Sequence, residues 1–206
     1  MAHKINPALK NLPDIDSWLS VDVAIWGAQY HFVQIKKLLD RYDEDGSKFR
    51  TNQMNWLIRG FFWELVGAFD LILQWSNKRF ELEVEVIKNH VKTGNWKEIT
   101  IEQVKWSTIK RSRAKIDHEL WTQVVQYLVQ VWESKWYFEV RTYRNYAHKS
   151  LFNMTGFVRT DRQGDSQWFI SLAREGQRYD DLRILLPNYI GEFREFVAKL
   201  KTLTAQ

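Results

Sequence analysis

Residues 56–73 read WLIRGFFWELVGAFDLIL. It is the most apolar stretch of the chain and approaches the length of a membrane span, about 20 residues. Yet Arg59, Glu64 and Asp70 punctuate it. Charges inside a span are costly, so the run predicts a core helix and not a membrane helix. Around it, Met54, Leu57, Ile58, Phe61, Phe62, Leu65, Phe69, Ile72 and Leu73 recur at steps of three and four, which gives one wide apolar face. Thr51 or Asn52 opens this helix, which reaches about Lys78. Gly60 and Gly67 share a face and predict close approach of a neighbouring helix.

Further out, the same period appears in Trp18, Val21, Ile25, Phe32, Ile35, Leu38 and Leu39, a helix capped by Asp16 or Ser17 and running to about Tyr42. The DEDGSK stretch, 43–48, reads as a solvated turn; as a calcium loop it would need an acid where Met54 stands. Past Lys78, ELEVEV alternates like a strand while its Glu and Leu favour helix. The expectation is helix to about Thr93, stopped at Gly94. A shorter helix follows Thr100. The longest helix, about 118–150, carries Leu120, Trp121, Val124, Val125, Leu128, Val131, Trp132 and Trp136 as its core stripe. Residues 153–173 change in texture and predict a hairpin, roughly Thr155–Thr160 with Gln167–Leu172. A last helix is expected from near Pro187, in its first turn, to about Leu203. The predicted fold class is all-α, a bundle of about five helices with a small β-hairpin near the C-terminal third. One domain, 1–206, is expected, with 1–14 as a loose lead-in.

Composition narrows the chemistry. The 206 residues are 45% apolar and include 11 Trp, most of them expected in the core. Zero Cys excludes disulfide and thiolate chemistry. A formal charge of +5 fits a polyanionic partner. The first residues, MAHKINPALKNLPDIDSW, contain no apolar h-region, so a cytoplasmic protein is expected. No HExxH, Gly-rich phosphate loop or nucleophile elbow is present, and no metal or other cofactor is expected. His90 and His118 have no partner at metal-ligand spacing, and His31 reads as a satisfied edge residue within its helix.

One stretch stands apart. VRTYRNYAHKSLF, residues 140–152, places Arg141, Arg144, Asn145 and His148 within eight positions. On a helix the four fall within roughly a third of the circumference, on the shoulder of the buried stripe marked by Val140, Ala147 and Leu151. Arginine matches a phosphate with a planar fork of donors. Histidine exchanges protons near neutrality, and asparagine can orient it. Such a group could cleave RNA without metal, through attack of the 2′-hydroxyl. The same residues also read as a structural group paired with Glu133 or Glu139. Tyr143 and Tyr146 face apart, so at most one lines the same cleft. Lys105, Lys110, Arg111, Arg113 and Lys115, with Trp106 among them, form an acid-free run that reads as a nucleic-acid grip or as a solvated helix end.

RNYAH at the end of a long helix in an all-helical chain resembles the HEPN superfamily, whose signature is Arg, four to six residues, then His, often with a polar residue after the Arg. Six residues separate Arg141 from His148; three separate Arg144 from His148, with Asn145 as the polar follower. The resemblance implies a helical bundle that homodimerises so that two motifs face one cleft. It implies metal-independent endoribonuclease activity of the toxin–antitoxin or RNA-processing kind, with Arg144 first and Arg141 as alternate in the arginine role. It also implies a nucleotidyltransferase-type antitoxin as partner in some systems. Other members bind nucleotides without cleaving. A non-catalytic RNA-, nucleotide- or protein-binding module is therefore the alternative expectation.

Overall fold

The computed structural model describes residues 18–45, 51–80, 87–88, 96–97, 106–107, 109, 119–149, 152, 154–160, 166–172 and 181–205. Among the described residues five helices make the bundle: α1 (Leu19–Asp45), α2 (Thr51–Arg79), α3 (Glu119–Glu133), α4 (Lys135–Lys149) and α5 (Leu182–Thr204). Two short antiparallel pairings accompany them. β1 (Ile87–Lys88) pairs with β2 (Trp96–Lys97), and β3 (Met154–Thr160) pairs with β4 (Ser166–Leu172) in the register Met154↔Leu172 to Thr160↔Ser166.

α2 is the hub. It lies along α1 and against α4, while α5 packs on α1, α3 and α4. All nine apolar positions of the α2 face are buried, with Ile58, Phe61, Phe62, Leu65, Phe69 and Ile72 fully so. Around Phe69 the rings of Tyr137 (4.5 Å) and Phe196 (5.8 Å) stack, so one α2 side chain joins α4 to α5. Burying a phenylalanine side chain contributes about 2–3 kcal/mol, so this row helps to hold the helices together. Asn55, buried in the same helix, accepts a hydrogen bond of 2.6 Å from the Phe152 N–H and so ties the exit of α4 to α2. No helix among the described residues is long and apolar enough to cross a membrane.

Several boundaries differ from the sequence reading. α2 stops at Arg79, and Ile87–Lys88 are strand, so helix does not continue to Thr93. The β-forming alternation of ELEVEV foreshadows that change, although its own residues lie outside those described. α1 continues through Asp45, past the expected end at Tyr42; its expected caps, Asp16 and Ser17, lie outside the described residues, as does 1–14. The predicted helix over 118–150 breaks at Ser134. There the hydroxyl donates to the Val131 carbonyl at 2.7 Å and accepts from the Tyr137 N–H at 3.3 Å, which makes Ser134 the N-cap of α4. α5 begins at Leu182, not at Pro187, because Asp181 caps it by accepting from the Arg183 N–H at 3.0 Å. Pro187 is then an interior residue, five positions into the helix.

Of the two glycines expected to mark close contact, only Gly60 does so. A Cβ there would lie 2.4 Å from the His31 ring, whereas one at Gly67 would meet nothing within 4 Å. His31 is also not the satisfied edge residue expected, since its Nδ1 is buried without a hydrogen-bond partner. Most of the described tryptophans belong to the core: Trp75 and Trp121 are buried, and Trp18, Trp106, Trp132 and Trp136 pack partly buried against it. Trp26, Trp56 and Trp63 are the exceptions, exposed by 59%, 65% and 42%. They stand on outward faces of α1 and α2, where helical periodicity places them opposite the apolar stripe.

Candidate functional site

The break at Ser134 sets the site. It ends α3 just after Trp132 and starts α4 so that Arg141, two turns on, reaches back across the joint. Arg141 Nη2 donates to the Trp132 carbonyl at 2.9 Å, and its guanidinium lies 3.7 Å from the centre of the Trp132 ring. Trp132 itself stacks on Trp106 at 4.9 Å and 16°. This layered arrangement of indole, indole and guanidinium is favourable because the ring faces are electron-rich.

One turn along α4, Arg144 Nη1 donates to Asn145 Oδ1 at 3.0 Å, and the guanidinium stands 5.3 Å from the Trp63 ring of α2. Arg141, Arg144 and Asn145 line one cavity of about 580 Å³, together with Val66, Asp70, Trp106, Trp132 and Tyr137. The structure therefore brings three of the four candidate residues to one place. His148 lies on the same helix, and its side chain is outside the described residues. Lys105, Lys110, Arg111, Arg113 and Lys115 also lie outside them. Of the flanking tyrosines, Tyr143 is buried and stacks on Phe62 at 5.1 Å, while Tyr146 is exposed, and neither lines the cavity.

The cavity is electrostatically uneven. Burial lowers the Arg141 guanidinium below its usual range, with nearby Tyr137 partly opposing. Burial raises the Asp70 carboxyl, and Arg144 pulls it back. Tyr137 is pushed well up by burial and by Asp70, with Arg141 and Arg144 opposing. Among the described residues the buried Nε–H groups of Arg141 and Arg144 each find no hydrogen-bond partner. Two guanidinium groups with unmet donors in one half-buried space favour an anion, since an unsatisfied buried donor costs about 1–3 kcal/mol.

Neither glutamate considered as a structural partner takes these arginines in any described bond. Glu139 accepts from Tyr189 Oη at 2.8 Å and faces Lys135 at 3.9 Å. The sequence reading missed Asp70, Trp132 and Tyr137 as cavity residues. Asp70 had a visible signal, a carboxylate inside the most apolar run of the chain. Trp132 and Tyr137 had none, because their place depends on the break at Ser134. Among the described residues no group of three or more His, Asp or Glu side chains is placed to hold a metal ion. Compared with known proteins, the chain matches no family model, no curated protein and no solved structure.

Proposed function

We propose that the protein acts on RNA as a metal-independent endoribonuclease of the HEPN kind, with the cavity on α4 as the seat of the scissile phosphate. The observation that carries this reading is the convergence of Arg141, Arg144 and Asn145 on one cavity, both arginines holding unmet Nε–H donors. Arg144 binds the phosphoryl oxygens and offsets the charge that develops on them. Arg141, fixed on Trp132, is the second cation and sets the electrostatic floor of the site. His148, one helical turn past Arg144, exchanges the proton. The 2′-oxygen loses its proton, bonds to phosphorus and displaces the 5′-oxygen, which takes up a proton. The products are a 2′,3′-cyclic phosphate and a 5′-hydroxyl.

RNA incubated with the protein in EDTA is cut to those two end groups if the reading holds. His148→Ala removes cutting and leaves the melting temperature in place. Cleavage that continues in His148→Ala, or ends of any other kind, refutes it.

A second reading is a module that binds RNA or nucleotides without cleaving. The tie of Arg141 to the Trp132 carbonyl favours it, because that bond takes one donor out of the phosphate's reach. Binding without cleavage, weakened by salt, would select this reading. We also propose that the chain works as a homodimer. Leu19, Val23, Trp26, Tyr30 and Val33 support this, an exposed row on α1 at alternate steps of four and three, the spacing of a helix-pairing seam.

A further inference from the structure

We propose that the outward face of α2 is a track for single-stranded RNA, leading from Trp56 over Trp63 and Gly67 to the rim of the cavity. The inference rests on the proposed function in one respect, that the strand ends in that cavity. Trp56, Arg59, Trp63, Gly67 and Asp70 recur at steps of three and four and so share one strip of the helix. Two of them are large indoles left in solvent, Trp56 at 65% and Trp63 at 42% exposure. Isolated apolar side chains on a surface need no explanation, but these two are interleaved with cations. Trp63 has the Arg59 guanidinium at 5.8 Å and that of Arg144 at 5.3 Å. Arg144 is shared: it lines the cavity and stands beside Trp63, the indole of the face nearer to it.

Up to Gly67 the face is open and positive, and the one acid of the strip, Asp70, stands at its cavity end. The only acid of α2 between Thr51 and Val66 is Glu64, which turns toward α1; its Cδ would lie 2.7 Å from a Cβ placed on Gly27. Trp56 is held in place by the edge of His31 at 5.8 Å and 73°, and that ring is itself seated against Gly60. Between Trp63 and Asp70 the row has a gap, because Gly67 has open space where a side chain would begin. An indole flanked by guanidinium groups suits a stacked base with its phosphates alongside, and such stacking is tolerant of sequence. The commitment is therefore to a single strand, read by stacking and charge and not by base edges.

The test is fluorescence anisotropy of a labelled 12-nucleotide single-stranded RNA with the full chain, alongside single-turnover cleavage of the same RNA. Trp63→Leu, Arg59→Ala and Gly67→Leu are each expected to weaken binding about tenfold, the scale of one lost base stack. Trp63→Phe, which keeps a ring, retains most of the binding. Gly67→Leu is the variant safest for folding, since it adds a side chain into open space and replaces glycine by a better helix former. Ile184→Ala, an exposed apolar side chain of α5 away from both the cavity and the α2 face, leaves binding unchanged.

Wild-type cleavage with unaltered binding in Trp63→Leu, Arg59→Ala and Gly67→Leu overturns the track and leaves the cleavage reading standing. Binding weakened in all three, with no cleavage by the wild type, supports the track and removes the nuclease. A wild type that neither binds nor cuts overturns both. Dimers that Trp63→Leu dissociates, with RNA binding unaffected, would assign the face to a protein partner and overturn the track as well.

Discussion

Gly60→Ala is a clean test of how α1 and α2 meet, because two opposing effects of known sign act at one atom. In an isolated helix the added methyl stabilises by about 1 kcal/mol, since glycine loses more backbone freedom on folding. Here the new Cβ would sit 2.4 Å from His31 Cε1, 2.5 Å from Nε2 and 2.9 Å from Nδ1. Carbon atoms rest about 3.5–4.0 Å apart, so the ring would have to retreat by more than 1 Å. It has little room to do so, with the rings of Tyr30 at 5.9 Å and Trp56 at 5.8 Å beside it. Overpacking of that kind costs about 1–3 kcal/mol. The net expectation is a loss of up to about 2 kcal/mol. In a His31→Ala background the obstruction is gone, and the same substitution should stabilise by about 1 kcal/mol. Urea unfolding of the four proteins in a double-mutant cycle measures the sign change directly. Equal effects of Gly60→Ala in both backgrounds would show that His31 does not rest on Gly60 and would refute the reasoning.

Other outcomes follow from the same geometry. Burial depresses the His31 imidazole below its ordinary value of 6.5, against the raising influence of Glu64. The folded chain therefore favours the neutral ring, and its stability is full above 6.5 and falls as the pH drops through that value toward the folded one. His31→Gln should flatten this decline in a series of melts across pH; a slope unchanged by the substitution places its origin elsewhere. Ser134→Ala removes the cap of α4 and should cost about 1 kcal/mol of unfolding free energy, with Ser134→Asp near neutral. A loss in the aspartate variant as large as in the alanine one would contradict the capping role. Asp70→Asn takes a negative charge from beside Arg144 and should tighten RNA binding about fivefold at low salt, an effect that fades as salt rises. Weaker binding by Asp70→Asn would mean that the carboxylate organises the site instead of opposing the anion.

Where an apolar period was long and unbroken, the sequence carried the structure. The nine-residue face of α2 is buried without exception. The stripes of α1 and α3 likewise turn inward, because burial of a periodic face dominates the energetics of such helices. The joints were not legible on the same grounds. Helical spacing runs straight through Ser134, and only its hydroxyl, bonded to Val131 and Tyr137, ends one helix and starts the next. Pro187 invited a helix start, yet Asp181, six residues before it, supplies a stronger cap. In the site, spacing alone placed Arg141, Arg144 and Asn145 on one shoulder of α4, and they do line one cavity. The opposite wall comes from Asp70, Trp106 and Trp132, residues distant in sequence that no local period connects. The exposed indoles show the complementary failure: composition alone assigns tryptophan to the core, whereas position on the helix left Trp26, Trp56 and Trp63 outside.

In the proposed reaction Arg144 is the group that meets the phosphate. The most direct measurement is the single-turnover cleavage rate of wild type and Arg144→Ala in EDTA, on an RNA and on the same RNA carrying a 2′-deoxy residue at the cleaved position. The rate is expected to fall about 100-fold or more in Arg144→Ala with an unchanged melting temperature, and neither protein should cleave the deoxy substrate. A rate within a few fold of wild type in Arg144→Ala, or cutting at the deoxy position, would contradict the proposed reaction.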